Sequence, residues 1–183
     1  MNWKEILRKL EKRKQWDAAI EFMQEVIRMN PYDMDAYIAI NYFFMNLITE
    51  EDYNTGKQDY YIELAHKYLD EPYEKFSDNP EYLFFTGITS KISEWFLDIK
   101  ADDITRMLNK ALTLDPDNLL YLWGNYSCLN ARDLENINLM ASCAQKVIKD
   151  FAIVAFLKSK GAVGEYLLEI QLKPVSKKIE DFV

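Results

Sequence analysis

Proton transfer is the chemistry this chain could attempt, with its single histidine, His66, or with the adjacent carboxylates Glu50-Glu51, Asp70-Glu71 and Asp102-Asp103. His66 sits in the run ELAHKYL, which has helical character, and reads as a partly exposed helix residue rather than a base. Each acid pair falls in a loop or at a helix start, where solvation and the helix dipole favour negative charge. No GxGxxG, phosphate loop, GxSxG or HExxH occurs. Cys128 and Cys143 stand fifteen residues apart without a CxxC or Cys/His ligand spacing, so no zinc site is expected. Both cysteines lie among apolar helical residues and read as buried thiols in a reducing compartment. No catalytic residue, metal or cofactor is expected.

Charge narrows the partners. The 183 residues carry a net charge of -8, which disfavours nucleic acid, whose phosphates need a basic footprint. The distribution is uneven. Residues 1–14 hold six basic and two acidic side chains, whereas residues 50–82 hold ten acidic and three basic ones. The N-terminal run MNWKEILRKLEKRK lacks the apolar core of a signal peptide. No stretch reaches the ~18 apolar residues of a membrane span. A cytoplasmic protein is the expectation.

These residues must be positioned by helices. Apolar residues make up 49% of the chain, with only five glycines and five prolines, which favours long helices over many short strands. Trp3, Ile6, Leu7 and Leu10 form one helical stripe. Trp16, Ala19, Ile20, Met23, Val26 and Ile27 form the next. Asn30-Pro31, Asn79-Pro80 and Asp115-Pro116 read as helix stops, each followed by a new amphipathic run. Asp33 and Asp133 read as N-caps, and Asp102 or Asp103 as a cap for the helix through Ile104 and Leu108. Residues 49–57 read as a loop, Pro72 as a kink or restart, and Gly161 or Gly164 as a break. The pattern predicts an all-α chain of roughly nine helices in antiparallel pairs, forming a single domain over residues 1–173, with a polar tail over residues 174–183.

The recurrence of AAIEFMQEVIRMNPYD and ITRMLNKALTLDPDN marks a repeat. Trp3, Ile6 and Leu10 fall at large positions of a first helix, Ala19 at a small position of a second, and Pro31 closes the unit. Tyr37, Ile40 and Phe44 begin a second unit, whose second helix is displaced by the 49–57 loop. Gly87, Ala111 and Pro116 mark a third unit, and Gly124, Ala144 and Val147 a fourth. In these positions the chain resembles the tetratricopeptide repeat (TPR), a unit of about 34 residues. The resemblance implies a TPR-like α-solenoid, with residues 153–171 as a C-terminal capping helix.

It also implies a concave groove lined by the first helix of each unit. Carried onto this chain, that groove would present Lys4, Arg8, Glu11 and Lys12, then Ile38, Tyr42, Met45 and Asn46, then Phe84, Ile88, Tyr121 and Asn125. Members of the family that clamp a peptide carboxylate use a basic residue followed by asparagine. Here Lys4 matches but Arg8 replaces the asparagine and Ala39 the second one, so such a clamp is not expected. The implied function is non-catalytic binding of a protein or peptide in the groove. An alternative reading comes from residues 50–82, where Glu50, Glu51, Asp52 and other acids are interspersed with Tyr60 and further tyrosines. Rings as anchors and acids as steering groups suit a basic protein partner, as for a bacterial immunity or antitoxin-type protein that neutralises a basic toxin.

Overall fold

The computed structural model describes residues 2–51, 53, 55–130 and 132–177, apart from the side chains of Glu50 and Trp95. Every described element is helical, with no strand among the described residues. Local chemistry starts many of the helices. The side chains of Asn2, Asp33, Asn79, Asn118, Asp133 and Asp150 each accept a hydrogen bond from a backbone N–H two or three residues on. A cap of this kind contributes about 1 kcal/mol. The chain gathers into two compact units, one ending at Phe76 and the other beginning at Ser77.

In the first unit α1 (Trp3–Lys12) packs on α2 (Trp16–Met29), α2 on α3 (Met34–Glu50), and α3 on α4 (Gln58–Asp70). Ala19 is fully buried; a methyl group there lets α2 lie close to its neighbours. The indole of Trp3 donates to Asp33 at 3.1 Å, tying α1 to the cap of α3. Aromatic rings fill the interior: Trp16 meets Phe43 at 6.2 Å, and Phe44 stacks on Tyr68 at 6.3 Å. A 3₁₀ turn over Thr55–Lys57 leads into α4. Pro72 restarts the chain as the short α5 (Tyr73–Phe76).

Asn41, on α3, is buried and neither end of its amide finds a hydrogen-bond partner among the described residues. An unpaired buried amide costs its full desolvation, about 1–3 kcal/mol. Replacing Asn41 with Leu, of similar shape, is expected to raise the urea midpoint of unfolding, and an unchanged or lower midpoint would contradict that reading.

In the second unit α6 (Pro80–Leu97) packs on α7 (Ala101–Leu114), α7 on α8 (Leu119–Tyr126), and α8 on α9 (Leu134–Lys149). Glycines set two of the close approaches. A Cβ on Gly87 would lie 2.9 Å from the Leu108 side chain, and one on Gly124 would lie 2.8 Å from the Phe84 ring. Asp150 ends α9 and caps α10 (Phe151–Ser159). Gly161, with φ near +70°, turns the chain into α11 (Ala162–Tyr166). A π-helical stretch over Leu167–Leu172 then runs into α12 (Lys173–Lys177), which packs on α9.

Several expectations change here. The helix expected after Pro80 is present, but Asn79 belongs to it and not to the preceding helix, which ends at Phe76: Asn79 caps α6 and Pro80 takes its first turn, where a missing N–H costs nothing. Asp102 and Asp103 lie inside the first turn of α7, whose N-cap is Lys100 with no side-chain hydrogen bond. The break expected at Gly161 or Gly164 falls at Gly161, and the helix after it continues through Pro174 instead of ending before a polar tail. The π turns directly before Pro174 loosen the pattern at the point where its ring has no N–H to give. Residues 174–177 therefore belong to the folded unit: Ser176 is buried, and its carbonyl accepts from Gln145 Nε2 at 2.9 Å. The rest of the expected tail, 178–183, lies outside the described residues.

Candidate functional site

The residues from Tyr82 to Ser93 on α6 carry one charge, Lys91. Tyr82 to Ser90 and Ser93 are buried, and Lys91 and Ile92 are half-buried. The ammonium donates to the carbonyl oxygen of Ser127, the residue that ends α8, where a cation suits the helix dipole. It bonds to no carboxylate among the described residues. Burial holds its pKa below the ordinary lysine value, against the opposing influence of Cys128 and Glu94.

Lys91 forms part of the lining of a crevice of about 190 Å³ in the second unit. Trp123 and Tyr126 of α8 form one wall, and Ile137 and Met140 of α9 another. The turn between these helices adds Leu129 and Asn130, and the last helical segment adds Gln171 and Val175. The turn is fixed locally: Ser127 Oγ donates to the Gly124 carbonyl at 2.6 Å, and Asn130 Oδ1 accepts from the Arg132 N–H at 3.0 Å. Asn136 Nδ2 donates to the Asn130 carbonyl at 3.2 Å, and Gln171 Nε2 donates to the Tyr166 hydroxyl at 3.0 Å. The opposite ends of these amides, Asn130 Nδ2, Asn136 Oδ1 and Gln171 Oε1, have no partner among the described residues. Leu129 is 38% exposed at the crevice, and Leu134 at the start of α9 is 66% exposed. An apolar cleft with a few convergent polar groups is the usual form of a binding site.

Two other hollows are more fully occupied by internal bonds. In the first unit, Asp17 accepts from Lys57 at 2.6 Å and from the Tyr61 hydroxyl at 3.3 Å, and the Lys57 hydrogen bond holds the carboxyl below its usual range. In the second, Glu81 pairs with Lys160 beside Tyr121, whose hydroxyl burial pushes up to about 12.

The residues proposed from sequence are dispersed. Tyr42, Phe84, Ile88 and Tyr121 are buried and form core, not a free groove. Phe84 packs against Phe85 and Tyr121 at 5.2 and 5.3 Å. Ile38 and Met45 are buried as well. The more accessible stripe of α3 is instead Asp35, Ala39, Asn46 and Thr49. One residue of register turns a helix face by about 100°. Asn125 is half-buried, and its amide donates to Asn109 Oδ1. Lys4 pairs with Asp35 at 2.5 Å. Arg8 and Glu51 both act on Glu11: burial pushes that carboxyl up to about 7, Arg8 lowers it and Glu51 raises it further. Glu51 also pairs with Lys14 at 3.2 Å. Glu50 closes α3, and Asp52 lies outside the described residues.

The acidic stretch is divided between the two units. Tyr61, Tyr68 and Tyr82 are core, while Tyr60 and Tyr73 are exposed. Asp59, Glu63, Asp70 and Glu74 are exposed without a bonded partner among the described residues, whereas Asp78 and Glu81 are paired with Lys110 and Lys160. His66 is half-buried on α4. Cys143 is buried, which pushes its thiol up to about 11, and Cys128 is a half-buried free thiol.

Sequence reasoning missed the crevice. Its one visible signal is Lys91, alone in an uncharged helical run. Among the described residues, no group of His, Cys, Asp and Glu could hold a metal, and no helix is long and apolar enough to cross a membrane. Compared with protein-family models, curated proteins and solved structures, the chain finds no significant match.

Proposed function

We propose that this chain is a TPR-like helical scaffold that binds a polypeptide without chemistry of its own, and that the Lys91 crevice is where it does so. The observation carrying this reading is the crevice itself. It has apolar walls, an ammonium bonded to no carboxylate among the described residues, and spare amide groups. The order of helices supports the scaffold: α1/α2, α3/α4, α6/α7 and α8/α9 pack as consecutive pairs. Fully buried Ala19, Ala111 and Ala144, and the closely approached Gly87 and Gly124, stand at the small positions of the repeat.

A second reading rests on α4 and α5. Asp59, Glu63 and Asp70 share one stripe of α4 at helical spacing, with Tyr60 and Tyr73 exposed beside Glu74. Such a surface suits a basic protein partner, as in a toxin-neutralising protein.

Affinity recovery from the native host separates the two readings. The double variant Leu129→Ser, Met140→Gln strips the crevice of apolar contact, and Asp59→Lys, Glu63→Lys reverses the acidic stripe. A partner lost by the first variant and retained by the second supports the crevice. The opposite outcome supports the acidic face. A partner retained by both overturns both readings.

A further inference from the structure

We infer that the Lys91 crevice recognises an internal stretch of polypeptide in which an apolar side chain stands next to an aspartate or glutamate. This rests on the binding reading above and specifies its ligand. Size is the first reason. Pockets for whole small molecules usually measure ~300–1,000 Å³, whereas this one holds about 190 Å³. That space suits one anchoring side chain against Trp123, Ile137 and Met140.

Charge is the second reason. Among the described residues the Lys91 ammonium uses Ser127 as its one acceptor, and it has three N–H groups to give. Glu94 acts on it electrostatically but does not bond to it, and burial leaves it short of solvation. A carboxylate from the ligand would supply the missing counter-charge through a charge-assisted hydrogen bond.

The donor and acceptor inventory is the third reason, and it favours a chain interior over a chain end. Among the described residues Asn136 Oδ1 and Gln171 Oε1 are unused acceptors, while Asn130 Nδ2 is an unused donor. A free carboxylate brings acceptors alone, and a chain end that gives its terminal carboxylate to Lys91 brings backbone N–H groups from one side only, whereas Asn136 and Gln171 stand on different helical segments. A backbone continuing in both directions brings N–H groups for the two oxygens and a carbonyl for the amide nitrogen. Its acidic side chain remains free to reach Lys91.

The test is an array of short N-acetylated, C-amidated peptides probed with the full chain. Blocking both ends removes terminal charges, so binding reports internal segments. Bound peptides are expected to combine an aliphatic or aromatic residue with a neighbouring Asp or Glu. Changing that Asp to Asn in the peptide is expected to weaken binding about tenfold, the scale of one charge-assisted hydrogen bond. Lys91→Met is expected to bind the Asp and Asn peptides equally. The peptide change probes the same contact without altering the protein, so a folding defect in Lys91→Met cannot mask the result. Binding with no acidic preference, or confined to peptides with a free C-terminus, overturns the inference. If the crevice variant still loses its native partner in that event, the inference fails while the proposed function stands. If no blocked peptide binds and the native partner ignores the crevice, both fall.

Discussion

Gly164→Ala should be the most damaging single methyl group that can be added to this chain, at about 4 kcal/mol or more of lost stability. A Cβ there would sit 1.7 Å from the carbonyl oxygen of Leu157 and 2.6 Å from its carbon. Side chains can rotate away from such an overlap, but a backbone carbonyl held in the last turn of α10 cannot. Relief would require α10 and α11 to separate, and α11 leads through the π-helical stretch to Gln171 and Val175, which wall the crevice. The substitution should therefore cost binding as well as stability. Gly161, three residues earlier, is the control. Nothing lies within 4 Å of its Cβ position, but its φ near +70° and ψ near -137° fall in a region that essentially only glycine adopts, so Gly161→Ala should lose about 1–3 kcal/mol through backbone strain alone. Urea unfolding of both variants checks the order. Equal losses would mean that the α10–α11 approach is not the constraint described.

How far the sequence could be read follows from which forces act locally. Asp33 and Asp133 are caps because a carboxylate beside free N–H groups is a short-range device, and both were legible. Asn79-Pro80 was legible as a boundary with a new helix beyond it, but the role of Asn79 as the N-cap was not, since the same dipeptide can stop one helix or start another. The face of a helix is a longer-range matter. On α3 and α6, residues such as Ala36–Ile38 and Tyr82–Phe85 are buried on every side. A helix apolar all round offers no amphipathic phase to read. Phe84, Ile88 and Tyr42 were for that reason assigned to a groove while they belong to the core. The crevice draws on α6, on α8 and the turn after it, on α9 and on the last helical segment. Those segments meet only through tertiary packing, so Lys91 was the single trace it left in the sequence.

Glu11→Gln should change the pH dependence of stability more than any other neutralisation in the first unit. Glu11 lies on α1, half-buried. Burial pushes its carboxyl from 4.5 to about 7, with Glu51 adding to the rise and Arg8 opposing it. Between those two values the folded chain holds a proton that the unfolded chain releases. Stability is then highest at the acid end of that window, falls as pH climbs through it, and levels off above about 7. A tenfold change in proton affinity is worth about 1.4 kcal/mol, so the loss approaches ~3 kcal/mol at the alkaline end. Glutamine keeps the shape and cannot ionise, so the variant should match the wild type near pH 4.5 and exceed it progressively toward pH 7 and beyond. Glu51→Gln should move the same transition by less, because burial is the larger cause of the rise and the Lys14–Glu51 pair at 3.2 Å is lost at the same time. Urea midpoints measured across the window check this, and parallel profiles for wild type and Glu11→Gln would show that the carboxylate is solvated well enough to titrate normally. If the transition is present, deprotonation of Glu11 places a negative charge beside Arg8 and Glu51, and the α1 surface changes its charge near neutral pH.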